Sequence, residues 1–138
     1  MIATTRDRIG ITSLAVALLA LGLTSGCGGS GGPTRYSLEG AVTFDGQPIP
    51  TGEIRFEPDT SQDNSGPAGH AIIEDGRYVT SSGKGTVGGP HIVRIEGLDG
   101  KASGEMPYGN PLFEDYKVIL DLPKEDTSHD FDVPATQP

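Results

Sequence analysis

The three histidines and the single cysteine are the residues that could bind a metal ion or act in catalysis, and both roles require characteristic spacings. His70, His91 and His129 do not lie within four residues of one another or of Cys27, so no short metal-binding motif exists. A site built from all three would need the fold to bring them together, and ordinary surface or rim histidines are the simpler interpretation. The chain has no Gly-x-Ser-x-Gly elbow and no cysteine placed as a nucleophile. The glycine-rich stretch 83–89 lacks the spacing of a phosphate-binding loop and precedes a strand. We therefore predict no enzyme activity, no cofactor and no metal site.

Carboxylates crowd the last third of the chain, at Asp121, Glu125, Asp126, Asp130 and Asp132. Asp130 and Asp132 alternate on a predicted strand, so their side chains point the same way and could offer oxygen ligands to Ca²⁺. The spacing of an EF-hand loop is absent, and a solvated acidic face is the alternative interpretation. The formal net charge of −9 argues against a nucleic-acid partner, because phosphate contacts need Lys and Arg.

Cys27 follows an N-terminal segment with the layout of an export signal. Arg6 and Arg8 supply a basic start, residues 9–23 carry no charge, and small residues lead up to Cys27. The uncharged stretch is short for a spanning helix, which needs about 20 residues. A retained transmembrane anchor is the alternative. A single cysteine cannot form an internal disulfide, so Cys27 calls for another role.

The four residues Thr24, Ser25, Gly26 and Cys27 resemble the processing box of bacterial lipoproteins, with Thr24 where Leu is usual. The resemblance implies that residues 1–26 are a lipoprotein signal peptide and that Cys27 becomes the lipidated first residue. Several acyl chains anchor a protein to a membrane far more firmly than one. Gly28 stands where an Asp tends to retain such proteins at the inner membrane. The implied location is therefore the cell envelope, lipid-anchored at the outer membrane.

Residues 27–34 are rich in Gly and Ser and predict a flexible tether with a reach of about 15 Å. We assign residues 35–135 to one domain and residues 136–138 to a disordered tail.

Seven short runs of alternating apolar and polar residues follow the tether, and no helical periodicity does. Asp75-Gly76 separates two of the runs and predicts a two-residue hairpin. Seven strands with frequent turn signals indicate an all-β fold, a seven-stranded Greek-key β-sandwich. Its predicted core faces carry Val42, Phe44, Ile54, Phe56, Val93, Ile95, Val118 and Leu120.

The segments G-x-V-T-F-D-G-x-P-I-P, G-x-I-R-F, A-x-I-x-D-G-x-Y and G-x-H-x-V-x-I occur in this order. Together they resemble the carboxypeptidase regulatory-like and transthyretin-like β-sandwich domains, most closely the small bacterial lipoproteins that carry one such domain. The matching residues are Gly40, Val42, Asp45, Gly46, Pro48, Gly52, Ile54, Phe56, Asp75, Gly76, Tyr78, Gly89, Val93 and Ile95. The resemblance implies a transthyretin-like fold and brings no catalytic motif with it. Members of these families include structural appendages, adhesive modules and carriers.

Residues 97–115 form the longest irregular stretch, and they carry four large apolar residues, Met106, Tyr108, Leu112 and Phe113. Long loops are often functional, and aromatic residues and Met are enriched at interfaces. These side chains either contact a partner or pin the loop to the edge of the sandwich. The first interpretation predicts an envelope module that binds another protein or a glycan. The alternative function is a carrier of a small ligand or Ca²⁺.

Overall fold

The computed structural model describes residues 31–136, and the compact unit that carries the strands begins at Pro33. The predicted signal peptide, Cys27 and most of the tether lie outside the described residues. In residues 31–136 there are nine strands and one 3₁₀ turn at Thr60–Gln62. The strands are β1 (Leu38–Phe44), β2 (Gln47–Pro48), β3 (Thr51–Pro58), β4 (Gly69–Glu74), β5 (Arg77–Val79), β6 (Gly89–Leu98), β7 (Tyr116–Leu122), β8 (Thr127–Ser128) and β9 (Phe131–Val133).

The all-β class is confirmed, since each of the seven predicted runs forms a strand. β2 and β8 are additional strands of two residues each, too short for alternation to reveal them. The predicted fifth strand, 91–96, extends at both ends to Gly89 and Leu98.

One sheet joins the strands in the order β2-β1-β5-β4-β3-β6-β7, with β8 and β9 pairing in parallel with β1. The sheet is otherwise antiparallel, and it curls so that the inward faces of distant strands meet. The ring of Phe56 on β3 lies 5.8 Å from that of Tyr78 on β5 and 6.3 Å from that of Phe131 on β9. The core therefore lies inside the curl.

Two Asp-Gly pairs turn the chain in the same way. Asp75 and Gly76 have φ of 49° and 74°, and Asp45 and Gly46 have φ of 50° and 72°. Positive φ at both central residues defines the type I′ turn, which matches the twist of antiparallel strands. The predicted hairpin at Asp75-Gly76 is confirmed, and it joins β4 to β5. The Asp45-Gly46 turn joins β1 to β2.

The predicted core faces are correct in orientation, although not every residue on them is fully buried. Ile54 and Phe56 are completely buried, whereas the side chain of Arg55 between them is 54% exposed. Three predicted core residues, Phe44, Val118 and Leu120, are only partly buried because they lie towards the margins of the core. The prediction left out other buried residues, namely Leu38, Ile49, Ala71, Ile73, Tyr78, Leu122, Phe131 and Val133.

The start of the domain is tied down by Arg35. Its guanidinium donates hydrogen bonds to the carbonyls of Ala68 (2.7 Å), Lys84 (3.1 Å) and Gly85 (2.6 and 2.9 Å). A single planar fork with five donors can satisfy several carbonyls at once. Arg35 therefore holds two loops against the first residues of the domain.

Candidate binding surface

The long loop begins two residues later than predicted. Gly97 and Leu98 belong to β6, so the irregular stretch starts at Asp99. Its returning half is bonded to the end of β6: Leu112 N–H donates to the Gly97 carbonyl at 2.9 Å, and Asp99 N–H donates to the Asn110 carbonyl at 3.0 Å. The loop is thus held along the edge of the sheet.

Asp99 organises the base of this loop. Its carboxylate accepts the backbone N–H groups of Lys101 at 2.9 Å and Asn110 at 3.0 Å. The hydrogen bond from Lys101, then that from Asn110, holds the pKa of Asp99 below its ordinary value. Gly109 leaves the necessary space, because a Cβ there would lie 1.9 Å from the Asp99 carboxylate oxygen Oδ1. The residue just before it, Tyr108, accepts a hydrogen bond from Gly100 N–H through its carbonyl (3.1 Å).

The four apolar residues predicted for contact divide into two pairs. Leu112 and Phe113 are partly buried against the core. The Phe113 ring lies 5.1 Å from the ring of Phe44 and fills the space that the missing side chain of Gly97 leaves. Met106 and Tyr108 project instead into solvent, 50% and 66% exposed. Packing against the core therefore describes Leu112 and Phe113. Contact of Met106 and Tyr108 with a partner stays a prediction, made for side chains that are exposed.

Tyr108 stands beside a groove on the outer face of the sheet, with a volume of about 470 Å³. Its floor is made by outward side chains of β4, β3 and β6 in two cross-strand rows. One row aligns Glu74, Thr51 and Leu98, and the other aligns Ile72, Glu53 and Glu96. We call this feature the Tyr108 groove, lined by Thr51, Gly52, Glu53, Ile72, Glu74, Glu96, Leu98 and Tyr108.

The groove combines carboxylates with apolar walls. Glu53 is paired with Arg55 at 3.1 Å, whereas Glu74 and Glu96 form no ion pair with any described residue. Ile72, 54% exposed, provides apolar surface beside them. Such a site suits a long cationic side chain, whose aliphatic stem packs on apolar surface while its charged end meets carboxylates. The face of an exposed Tyr ring adds attraction for the cation.

The histidines differ from expectation at one position. The interpretation of all three as surface or rim residues is wrong for His91, which is fully buried on the inward face of β6. Its Nδ1 lies 2.8 Å from the Gly89 carbonyl oxygen, and its Nε2 has no hydrogen-bond partner among the described residues. The His129 ring is tilted by 59° to the Phe131 ring, with centroids 4.7 Å apart, and His70 is exposed. Within residues 31–136, no group of three or more His, Cys, Asp or Glu side chains is arranged to hold a metal ion.

The late carboxylates make specific contacts. Asp126 and Asp130 each accept a backbone N–H of the first strand region, from Ser37 and Ala41, both at 2.7 Å. Asp132 accepts the Thr43 hydroxyl at 2.6 Å. These bonds fasten the β8–β9 segment along β1, so Asp126, Asp130 and Asp132 have a structural role beyond solvation.

Comparison with protein-family models, curated proteins and solved structures found no match to this chain. Among the described residues, no helix has both the length and the apolar character to cross a membrane. The family resemblance and the lipid anchor therefore stay predictions.

Proposed function

We propose that this protein is a non-catalytic binding module of the cell envelope, and that the Tyr108 groove takes a basic segment of another envelope protein. The observation that carries the proposal is the position of Tyr108. Tyr108 is 66% exposed at the rim of a groove that also holds Glu74 and Glu96, two carboxylates that form no ion pair within residues 31–136. Exposed aromatic residues on a rigid support are typical anchors of protein interfaces.

The groove is built from ordered parts of the fold and is therefore formed before a partner binds. Its floor lies on three neighbouring strands. Tyr108 at its rim lies in a loop that is held in place by hydrogen bonds to the Asp99 carboxylate and to the backbone of β6. Order before binding reduces the entropy that association must overcome. The net charge of −9 favours a basic partner over an acidic one, since like charges repel at close range.

Anchoring belongs to the same proposal. Lipidation of Cys27 would hold the domain at the outer membrane on the short tether of residues 27–34, as the likeness to lipoproteins implies. The finer fold, a transthyretin-like Greek-key β-sandwich of the carboxypeptidase regulatory-like type, is likewise proposed. The curled all-β sheet and the order of the quoted motifs support it.

The alternative of a Ca²⁺ carrier has less support. Its two candidate ligands, Asp130 and Asp132, already accept hydrogen bonds from Ala41 and Thr43. Binding a cation there would cost those bonds. The groove at Tyr108 opens to solvent along the sheet, which suits an extended chain better than an enclosed small molecule.

The experiment is a pull-down of the full-length, membrane-extracted protein from its native envelope, compared across matched variants. Tyr108→Ala and the double variant Glu74→Gln with Glu96→Gln should each lose the captured partner by tenfold or more. The control double variant, Glu105→Gln with Glu125→Gln, removes the same charge from exposed positions outside the groove. Equal recovery by all variants would contradict the proposed site. A partner that is captured as glycan alone would reassign the ligand class.

A further inference from the structure

Strand β7 ends the sheet on one side. It pairs with β6 through seven residue pairs, from Tyr116 opposite Ile95 to Leu122 opposite Gly89. Among the described residues its other edge has no strand partner. Edges of this kind present unpaired N–H and C=O groups and are ready to pair with another chain.

The direction of the backbone groups on this edge follows from hydrogen bonds at both ends of β6. The Pro90 carbonyl accepts Asp59 N–H on the β3 side, and the Gly97 carbonyl accepts Leu112 N–H on the opposite side. Backbone groups alternate along a strand, so the odd-numbered residues of β6 bond to β7. Their partners on β7 are the even-numbered residues. The N–H and C=O groups of Lys117, Ile119 and Asp121 therefore face the free edge.

Those three residues make the edge complementary to itself. In an antiparallel pair of two copies centred on Ile119, Ile119 meets Ile119, and Lys117 of each copy meets Asp121 of the other. Opposite charges directly across an antiparallel pair are stabilising. Ile119 is 57% exposed on the outer face, and Lys117 and Asp121 are exposed as well. On the inner face, the half-buried Val118 would meet Leu120 and shield its remaining surface.

Other registers and orientations of two paired β7 strands are less favourable than the antiparallel pair centred on Ile119. Shifting one copy by two residues places either Asp121 opposite Asp115, with like charges, or Lys117 opposite Pro123, which has no N–H to donate. A parallel pair in register places Lys117 opposite Lys117 and Asp121 opposite Asp121. A shift by one residue would turn the apolar inner face outward. The residue pattern thus selects one antiparallel register.

We propose that β7 is a self-association strand, through which two copies of this chain join edge to edge into one continuous sheet. The contact uses one strand from each copy, which is small compared with the roughly 1,600 Å² of a standard interface. The dimer is accordingly weak in dilute solution and forms when copies are concentrated. The Tyr108 groove does not include β7, so self-association and partner binding use different surfaces.

The test is disulfide trapping in the full-length chain, in its native membrane. In the proposed pair, the two Ile119 Cα atoms lie about 5.5 Å apart, within the range that a disulfide bridges. Ile119→Cys should therefore give a disulfide-linked dimer on a non-reducing gel. Val79→Cys is the matched control, since Val79 is similarly exposed, at 61%, on a strand inside the sheet.

Charge reversal then tests the register. In the Ile119→Cys background, Lys117→Asp places two carboxylates opposite each other at both ends and should lower the trapped fraction about tenfold. Adding Asp121→Lys restores opposite charges and should restore the trapped fraction to within about threefold. Trapping no greater than that of Val79→Cys would overturn the proposal. So would equal trapping in the Ile119→Cys background and both charge variants, or a cross-link from position 119 to a different protein.

Discussion

The variants Phe113→Ala and Tyr108→Ala distinguish the half of the long loop that packs against the core from the half that is exposed for partner contact. Phe113 is partly buried against the core, with its ring 5.1 Å from that of Phe44. Truncating a fully buried Phe to Ala lowers the free energy of unfolding by about 3–5 kcal/mol. Phe113 is only partly buried, so we take about half of that loss, and with the lost aromatic contact the expected loss is about 2–3 kcal/mol. For a domain of this size the melting temperature should fall by roughly 10–15 °C.

Tyr108→Ala should behave in the opposite way. Because Tyr108 is 66% exposed, its truncation should change the free energy of unfolding by no more than about 0.5 kcal/mol. Thermal melts followed by circular dichroism measure both variants, and Phe113→Leu serves as a control that keeps most of the apolar contact. Equal losses from Phe113→Ala and Tyr108→Ala would refute the division of the loop into a packed half and an exposed half.

Four further predictions concern the fold, the loop and the anchor. Gly76→Ala should destabilise more than Gly46→Ala in denaturant titrations: both Gly have positive φ, but only at Gly76 would a Cβ meet Pro48, at 2.5 Å. Phe56→Ala should cost about 3–5 kcal/mol and Arg55→Ala about 0.5 kcal/mol; similar losses would reverse the assignment of faces on β3. The pKa of Asp99 is lowered in the folded state, so the ionised carboxylate stabilises the fold above pH about 4, and this stabilisation is lost as the pH falls further. The melting temperatures of wild type and Asp99→Asn should therefore converge in acid. Intact-mass analysis should find residues 1–26 removed and lipid added at Cys27, and Cys27→Ser should remain an unprocessed precursor.

Strands and their faces were predictable because alternation with period two reports them directly. Ile54, Arg55 and Phe56 illustrate this, with buried and exposed positions in strict alternation. The Asp75-Gly76 hairpin was predictable because positive φ at both residues favours this pair of residue types. In both cases the signal lies within a few neighbouring residues.

The groove was not predictable because it depends on strand order. Glu74, Glu53 and Glu96 stand on three strands, and only the pairing of β3 with both β4 and β6 brings them together. The burial of His91 was missed for a different reason: its own type suggested the surface, although its spacing of two from Val93 placed it on the core face. Within the long loop, composition gave the four apolar residues the same two possible roles. Only the structure shows that Phe113 packs on Phe44 and Gly97.

The most direct measurement of the central claim is site-specific photo-crosslinking in intact cells. A photoreactive phenylalanine analogue replaces Tyr108 in the full-length chain, and a second version carries it at the exposed Ser65, outside the groove. We expect a discrete protein adduct from position 108 that weakens when Glu74 and Glu96 are changed to Gln, and none from position 65. No adduct at position 108, or the same adduct from both positions, would contradict a binding role for the groove.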